Sequence, residues 1–137
     1  MPSAAENRIA QFAARVAHRD DPAPPDPQRF EPERVLERLQ QALHPLTGVR
    51  LYKGRLTLAR MCYAFLDGKE LSSGALQSVA GIGEVAASRA RTRLERAGLL
   101  HHYYPGSRRR YRLTRYGEDW LLAVAQDTEI PKPPVAG

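Results

Sequence analysis

The residues of this chain that are best suited to binding chemistry are arginines, and they concentrate in one segment. Of the net charge of +6, residues 81–115 carry +7, because nine arginines there oppose two glutamates, and the rest of the chain carries −1. The segment contains no lysine. A guanidinium group makes planar, bidentate hydrogen bonds to phosphate and to guanine. This distribution therefore predicts a polyanionic partner.

Two elements are expected to position these arginines. Apolar residues at helical spacing predict a helix over residues 84–97, which follows a shorter helix and the turn Gly81-Ile82-Gly83. Gly98 marks a helix stop, and β-like runs at 99–104 and 108–113 flank a Pro-Gly-Ser turn, which predicts a hairpin. Two helices, a glycine-containing turn and a basic hairpin together predict a winged helix-turn-helix that binds double-stranded DNA.

The predicted helix 84–97 has two unlike faces. Leu94 and the alanines lie on one side of the helical wheel, whereas hydroxyl, guanidinium and small apolar groups lie on the other. Groups of the second kind can hydrogen-bond base edges or contact a thymine methyl in the major groove. The predicted base-contacting residues are Val85, Ser88, Arg89 and Thr92.

The wing, residues 99–113, is predicted to add affinity more than sequence choice. Arginines at the hairpin tip can reach the phosphate backbone or the narrow minor groove. Because alternate strand residues face opposite sides, Tyr111 and Leu113 are expected to point inward, and Arg110 and Arg112 outward. The predicted contacts to the DNA backbone are Ser73, Arg93, Arg96, Ser107, Arg108, Arg109, Arg110 and Arg112.

The sequence predicts no catalytic residue, no cofactor and no metal ion. Ser-His-Asp, paired-carboxylate and Gly-rich phosphate-loop spacings are missing, so we expect the protein not to be an enzyme. His101 and His102 are adjacent on a strand and would point to opposite faces, which disfavours shared ligation of one ion. The single cysteine, Cys62, excludes an internal disulfide and is expected to be a buried structural thiol.

No apolar run of membrane-spanning length and no secretory signal are found. We therefore expect a cytoplasmic protein without membrane contact, associated with the nucleoid when it is bound to DNA. A small-molecule effector is left open.

The chain is predicted to divide into an N-terminal helix (1–19), a Pro-rich linker (20–29), one domain (30–127) and a disordered tail (128–137). The fold class is mainly α with a small β-hairpin, an α+β winged helix-turn-helix with an N-terminal helical extension and a C-terminal helix. A possible extended piece is expected at 49–52. The side chains predicted to face inward on the domain's helices are Val35, Leu36, Leu39, Leu43, Leu58, Met61, Cys62, Phe65, Leu66, Leu76, Val79, Trp120, Leu121 and Val124.

Residues 55–125 resemble bacterial winged-helix regulators of the MarR and PadR type. The resemblance is carried by Gly81-Ile82, Ala87-Ser88-Arg89, Leu94-Glu95, Ala97-Gly98-Leu99-Leu100, Tyr111-Arg112-Leu113-Thr114 and Gly117. It implies a homodimer whose second motif helix reads the major groove. Two features depart from these families: Arg91 stands where a large apolar residue is usual, and the last helix is short. The N-terminal helices, with the stripe Val35/Leu36/Leu39/Leu43, are expected to offer the missing dimer surface.

Three alternatives remain open on the sequence. Plasmid or phage replication or partition proteins also use winged helices and are compatible with the same residues. The run Val79-Ala80-Gly81-Ile82-Gly83 is similar to the helix-hairpin-helix of DNA repair proteins, which implies non-specific phosphate binding through backbone amides. A winged helix can also serve only as a protein-interaction module for an acidic partner.

Overall fold

A computed structural model describes residues 3–68 and 70–134 as mainly helical with one small antiparallel sheet. Its helices are α1 (Ala4–Ala17), α2 (Pro32–Thr47), α3 (Tyr52–Ala64), α4 (Ser73–Ala80), α5 (Glu84–Arg96) and α6 (Arg115–Gln126). Its strands are β1 (Leu71–Ser72), β2 (Leu100–Tyr103) and β3 (Arg110–Leu113), and a 3₁₀ turn at Phe65–Asp67 follows α3. The predicted α+β class is thus confirmed at this level.

Helix α2 supplies one side of the core. It starts at Pro32, where the missing N–H breaks no helical hydrogen bond, and it continues past Pro45 to Gly48, whose left-handed backbone ends it. Its inner side chains are the buried Val35, Leu39 and Leu43. The expectation that this stripe forms a dimer surface is wrong, because contacts with α3 and α6 of the same chain already cover it.

Arg38 fixes α2 to the end of α6. Its Nε donates to the carbonyl of Val124 and its Nη2 to the carbonyl of Ala125, both at 3.0 Å. The last carbonyls of a helix have no partner within the helix, so the guanidinium group satisfies two acceptors and places a cation at the negative end of the dipole. The C-terminal helix is thereby bound to a helix from the start of the domain.

The sheet has the strand order β1-β3-β2, with all pairs antiparallel. The predicted hairpin corresponds to β2 and β3, whereas β1 was not predicted, because two residues are too few to show an alternating pattern. Leu71 and Ser72 pair with Tyr111 and Arg110. Along β3, Tyr111 is buried and Leu113 is partly buried against the core, while the arginines are exposed, so the predicted alternation is confirmed.

The junction between α5, the hairpin and α6 is tightly packed. Gly98 has a φ of +80°, as expected for a left-handed helix cap. Thr114 caps α6 by accepting from the amide of Gly117 at 2.9 Å, and its own amide donates to the carbonyl of Leu99 at 3.0 Å. A Cβ on Gly117 would lie 2.1 Å from the oxygen of Leu99, so only glycine allows this approach. The sequence pattern Leu113-Thr114-x-x-Gly117 is therefore required for the close packing of α6 against Leu99.

Helix α1 stands apart from this core. Ser3 caps it by accepting from the amide of Glu6 at 3.1 Å, as its spacing predicts. Every described residue from 3 to 28 is exposed, and the prolines between α1 and α2 leave residues 22–26 without regular structure. The linker between two helical regions is thus found where the proline pattern indicates it.

Three local expectations are wrong. Val79 is 45% exposed, because the inner face of the short α4 is centred between Leu76 and Ala80. Leu66 is 42% exposed, because the chain changes to a 3₁₀ turn after Ala64 and the side-chain directions shift. Residues 49–51 form no strand, and Tyr52, the last residue of the expected extended piece, is the first residue of α3.

The chain ends are described only in part. Thr128 bonds to the carbonyl of Ala123 through its amide at 2.9 Å and its hydroxyl at 3.3 Å, so the first residue of the predicted tail is held by α6. Residues 129–134 have no helix or strand, and residues 135–137, together with 1, 2 and 69, lie outside the described residues. Within the described ranges, no helix combines the length and apolar character that a membrane span needs.

Candidate nucleic-acid interface

Helix α5 is held by the short helix that precedes it. Ser72 caps α4 by accepting from the amide of Ala75 at 3.1 Å. Gly81 ends α4 in the left-handed conformation, with a φ of +66°. The chain then turns, with Ile82 packed against the core, and α5 starts after Gly83. The two helices and their turn match the predicted arrangement.

The inner face of α5 is narrow. Ala87, Ala90 and Leu94 are buried, as the helical wheel predicts. Two alanines let the helix backbone approach its neighbours closely, so the axis of α5 is set by packing rather than by long side chains. Its outer face is consequently held on a rigid support.

The predicted base-contacting residues share the outer face of α5. Val85, Ser88, Arg89 and Thr92 are all exposed, and Val85 is 68% exposed, which is high for an apolar side chain. The hydroxyl of Thr92 donates to the carbonyl of Ser88 at 3.0 Å. Its proton is therefore used within the helix, and Thr92 presents a methyl group and an acceptor oxygen to the outside.

Arg91 differs from the other arginines of α5 because it is buried, with 4% of its surface exposed. Its Nε donates to the hydroxyl of Tyr111 at 3.1 Å, its Nη2 to a carboxylate oxygen of Glu84 at 2.9 Å, and its Nη1 to the carbonyl of Ser73 at 3.5 Å. Arg91 therefore does not belong to the exposed basic surface. It occupies the position expected to be apolar because three acceptors from α4, α5 and β3 meet there.

Glu95 makes a second connection between α5 and the hairpin. Its carboxylate lies 2.9 Å from Nδ1 of His102 on β2. The bond to His102 and the bond from Arg91 to Tyr111 fix the hairpin beside α5. The hairpin is thus attached to the helix at both of its strands.

Tyrosine side chains hold two of the hairpin arginines. Arg109 donates to the hydroxyl of Tyr104 at 3.0 Å and to the hydroxyl of Tyr111 at 3.2 Å. These hydrogen bonds, first that to Tyr111, raise the pKa of Arg109 above its usual range. The guanidinium carbon of Arg112 lies 4.7 Å from the centre of the Tyr103 ring, and its Nε donates to the ring of His101.

Eight of the nine arginines in residues 81–115 are exposed, namely Arg89, Arg93, Arg96, Arg108, Arg109, Arg110, Arg112 and Arg115. In the part of the chain that the structure describes, Arg89, Arg93 and Arg96 on α5, and Arg108 and Arg110 on the hairpin, form no hydrogen bond or ion pair. Their guanidinium donors are available to an anionic ligand. These donors lie on α5 and on the hairpin, two elements that contact each other.

The remaining predicted residues are placed as follows. Ser107 is exposed at the tip of the hairpin, whereas Ser73 is half-buried and its carbonyl accepts from Arg91. His101 and His102 have separate partners, and no group of three or more potential metal ligands is found among the described residues. Ser73 therefore helps to position α5 through its backbone.

Sequence reasoning missed the residues that connect the two elements. Tyr111 and Glu95 bond Arg91 and His102 across 20 and 7 residues of the chain, and Glu84 and Tyr104 bond arginines of their own elements. A usable signal was present, because Arg91 interrupts an otherwise small and apolar face. A buried arginine must have acceptors nearby, and Tyr111 on an inward strand position was one candidate.

In comparisons of sequence and of fold, no family model, no curated protein and no solved structure matches this chain. Its function is therefore argued from the geometry of α5 and the hairpin.

Proposed function

We propose that this protein is a winged helix-turn-helix that binds double-stranded DNA sequence-specifically and acts as a dimeric transcriptional regulator. In this proposal α5 enters the major groove, and the β2–β3 hairpin contacts the backbone or the minor groove. One observation carries it: the exposed face of α5 lies beside an arginine-rich hairpin that Arg91–Tyr111 and Glu95–His102 attach to it.

The order of elements supports the winged-helix part of the proposal. A helix pair with a glycine turn, α4 and α5, is followed directly by the hairpin, and β1 before α4 completes the sheet. An α-helix with its side chains, about 10–12 Å across, fits the major groove of B-DNA, which is about 12 Å wide. The outer face of α5 presents the chemically varied groups that base recognition uses.

The division of roles follows from where each side chain lies. Arg89 and Ser88 are central on the exposed face of α5 and are assigned to base edges, with Val85 and Thr92 as apolar or acceptor contacts. Arg93, Arg96 and the hairpin arginines are assigned to phosphates, which fix the register without reading sequence. A dimer would place two such helices on half-sites about one helical turn apart.

Selection from a random duplex library at near-physiological salt tests the proposal, with wild-type protein and Arg89→Ala compared. We expect enrichment of a palindromic or repeated motif by the wild type and its loss in the variant. Tight binding without enrichment would instead indicate an architectural or helix-hairpin-helix role, and absence of binding would overturn the proposal.

The salt dependence of affinity separates DNA from a protein partner. If several arginines contact phosphates, the logarithm of affinity falls with the logarithm of salt concentration by roughly 0.9 for each phosphate contact. Docking to an acidic protein surface would give a shallower slope. A shallow slope with duplex DNA would therefore count against the assignment of the hairpin arginines.

A further inference from the structure

Helix α1 has an apolar face that nothing in its own chain covers. Ile9 is 68% exposed, Phe12 62% and Val16 42%, and the helix has no buried residue. On a helical wheel these three side chains form one stripe, and Arg8 and Arg15 lie together along one edge of it. An exposed stripe of large apolar side chains indicates a surface that binds a partner.

A groove formed by residues between Phe65 and Leu122 combines apolar and acidic side chains, which complement the apolar stripe and the basic edge of α1. It lies between the 3₁₀ turn, the end of β3 and the first turns of α6, and it encloses about 520 Å³. Leu66, Leu113 and Leu122 contribute apolar surface, and Leu122 is 56% exposed. Its polar lining includes three carboxylates, Glu70, Glu118 and Asp119.

The charges of the two surfaces are opposite. Among the described lining residues of the groove the one cation is Arg112, which is already held by the rings of Tyr103 and His101. The carboxylates therefore leave the groove acidic, whereas Arg8 and Arg15 make the edge of the α1 stripe basic. Such complementarity favours one orientation of docking and suppresses others.

We propose that the apolar face of α1 docks in the Leu66/Leu113/Leu122 groove of a second copy of this chain, and that the two copies exchange these helices reciprocally. That two copies associate rests on the proposed function. The contact between α1 and the groove names the surface by which the regulator forms its dimer.

The linker favours a second copy of the chain, rather than the same chain, as the partner of α1. Four prolines between Asp20 and Arg29 make a stiff, extended spacer, and α1 lies away from its own domain in the structure. Reciprocal exchange of one element between two protomers forms a closed symmetric dimer with two identical contacts. No residue of α5 lines the groove, so the contact leaves that helix accessible, whereas Arg112 of the hairpin lines it.

Sedimentation equilibrium of the full chain without DNA tests the contact. We expect the wild type to form a dimer at increasing concentration and both Phe12→Asp and Leu122→Asp to raise the dimer dissociation constant roughly a hundredfold. Leu51→Asp is the matched control, because Leu51 is 79% exposed and lies on neither surface. A monomeric wild type, or a dimer that both variants leave intact, would overturn the proposal.

Cross-linking distinguishes exchange between copies from docking within one chain. An equimolar mixture of Phe12→Cys and Leu122→Cys is treated with a flexible bifunctional maleimide, and wild-type protein controls for Cys62, which is buried. A covalent heterodimer is expected. Cross-linking confined to the monomer of the double variant Phe12→Cys/Leu122→Cys would mean that α1 covers its own groove and would refute the exchange.

These experiments contain no DNA, so their outcome is separate from that of the duplex selection. A dimer that depends on Phe12 and Leu122 but binds no duplex would leave the α1 contact standing and remove the proposed function. If a monomeric protein selected a DNA motif, sequence-specific binding would stand and the α1 contact would be refuted.

Discussion

Helix α5 and the β2–β3 hairpin are both rich in arginine, but they hold their guanidinium groups differently. The helix buries one of them, Arg91, and leaves the others on its surface unbonded to the described residues, whereas the hairpin keeps all its arginines exposed and supports Arg109 and Arg112 on aromatic side chains. The exposed arginines of α5 therefore keep all their donors for a ligand, whereas Arg109 and Arg112 are already oriented by aromatic side chains.

Arg91 and Arg109 differ in what they contribute, the first to stability and the second to the exposed basic surface. Arg91 is buried, and its bond to Tyr111 joins α5 to the hairpin, whereas its bond to Glu84 lies within α5. Arg109 bonds the same tyrosine hydroxyl from the outside. Replacing the two arginines should therefore affect different properties, although one hydroxyl links them.

The largest effect is expected from Arg91→Ala. Removing this side chain leaves a cavity and loses the hydrogen bonds that join α4, α5 and β3, so the free energy of unfolding should fall by about 2–4 kcal/mol. Urea denaturation measures this value.

Arg91→Met is the matched control for that variant. It retains most of the buried volume, and Tyr111 keeps its bond to Arg109, so stability should stay within about 1 kcal/mol of the wild type while affinity for duplex DNA falls. If Arg91→Met bound DNA like the wild type, the connection between helix and hairpin would have no role in binding.

Arg89→Ala should have the next largest effect, on sequence preference. Loss of a bidentate contact to a base should reduce discrimination between the preferred and a mismatched duplex by about 1–3 kcal/mol. Competition binding with single-base variants of the selected site measures the change. Arg93→Ala, which removes an exposed arginine of the same helix, should weaken all duplexes alike; an equal loss of discrimination in both variants would contradict the division of roles on α5.

A smaller and uniform effect is expected from Arg109→Ala. Affinity for all duplexes should fall together, and the slope of log affinity against log salt should decrease by about 1. Tyr104→Phe removes only one hydrogen bond that orients Arg109, so its loss of affinity should be smaller. A change of the preferred bases in either variant would place the hairpin among the sequence-reading elements.

The smallest effect concerns Cys62, a thiol buried in the hydrophobic core. Burial raises the pKa of Cys62 from 9.0 to about 12, so the folded protein keeps a neutral thiol where the unfolded chain would lose its proton. This contribution to stability is complete below pH 9 and is lost as the pH rises towards 12. From about pH 8 to about pH 9.5 it should lower the free energy of unfolding by less than about 1 kcal/mol.

Thermal or urea unfolding of Cys62→Ala over the same pH range tests this assignment. The variant should show a shallower decrease of stability with pH, whatever its stability at neutral pH. An identical decrease in both proteins would assign the alkaline effect to other groups.

Much of the fold was predictable because its signals are local. The caps at Ser3 and Ser72, the stop at Gly98 and the alternation around Tyr111 each depend on a few adjacent residues. The errors occurred where a residue lies at the edge of a helix face or where an element is too short to show a pattern. Val79 lies at the edge of an eight-residue helix, and β1 is too short for a pattern.

The exposed residues of the candidate site were predictable from the sequence, but the bonds that connect α5 to the hairpin were not. Exposure of Val85, Ser88, Arg89 and Thr92 follows from helical periodicity once the inner face is identified. The count of charges did not separate Arg91 from its neighbours, although its position on the apolar face of the helix did; the partners that bury it could not be read from the sequence. Similarly, the apolar residues of α1 and of α2 look alike in sequence, yet only those of α2 are covered.

The sequence by itself thus determined several helix ends, which strand residues face inward and where positive charge concentrates, because each depends on neighbours along the chain. Only the tertiary structure decided that Arg91 is an internal connection, that Tyr111 serves two arginines, that the apolar face of α1 is uncovered, and that an acidic groove lies on the domain. Burial of a charge or an apolar face depends on partners that folding brings together, and those partners are distant in the sequence.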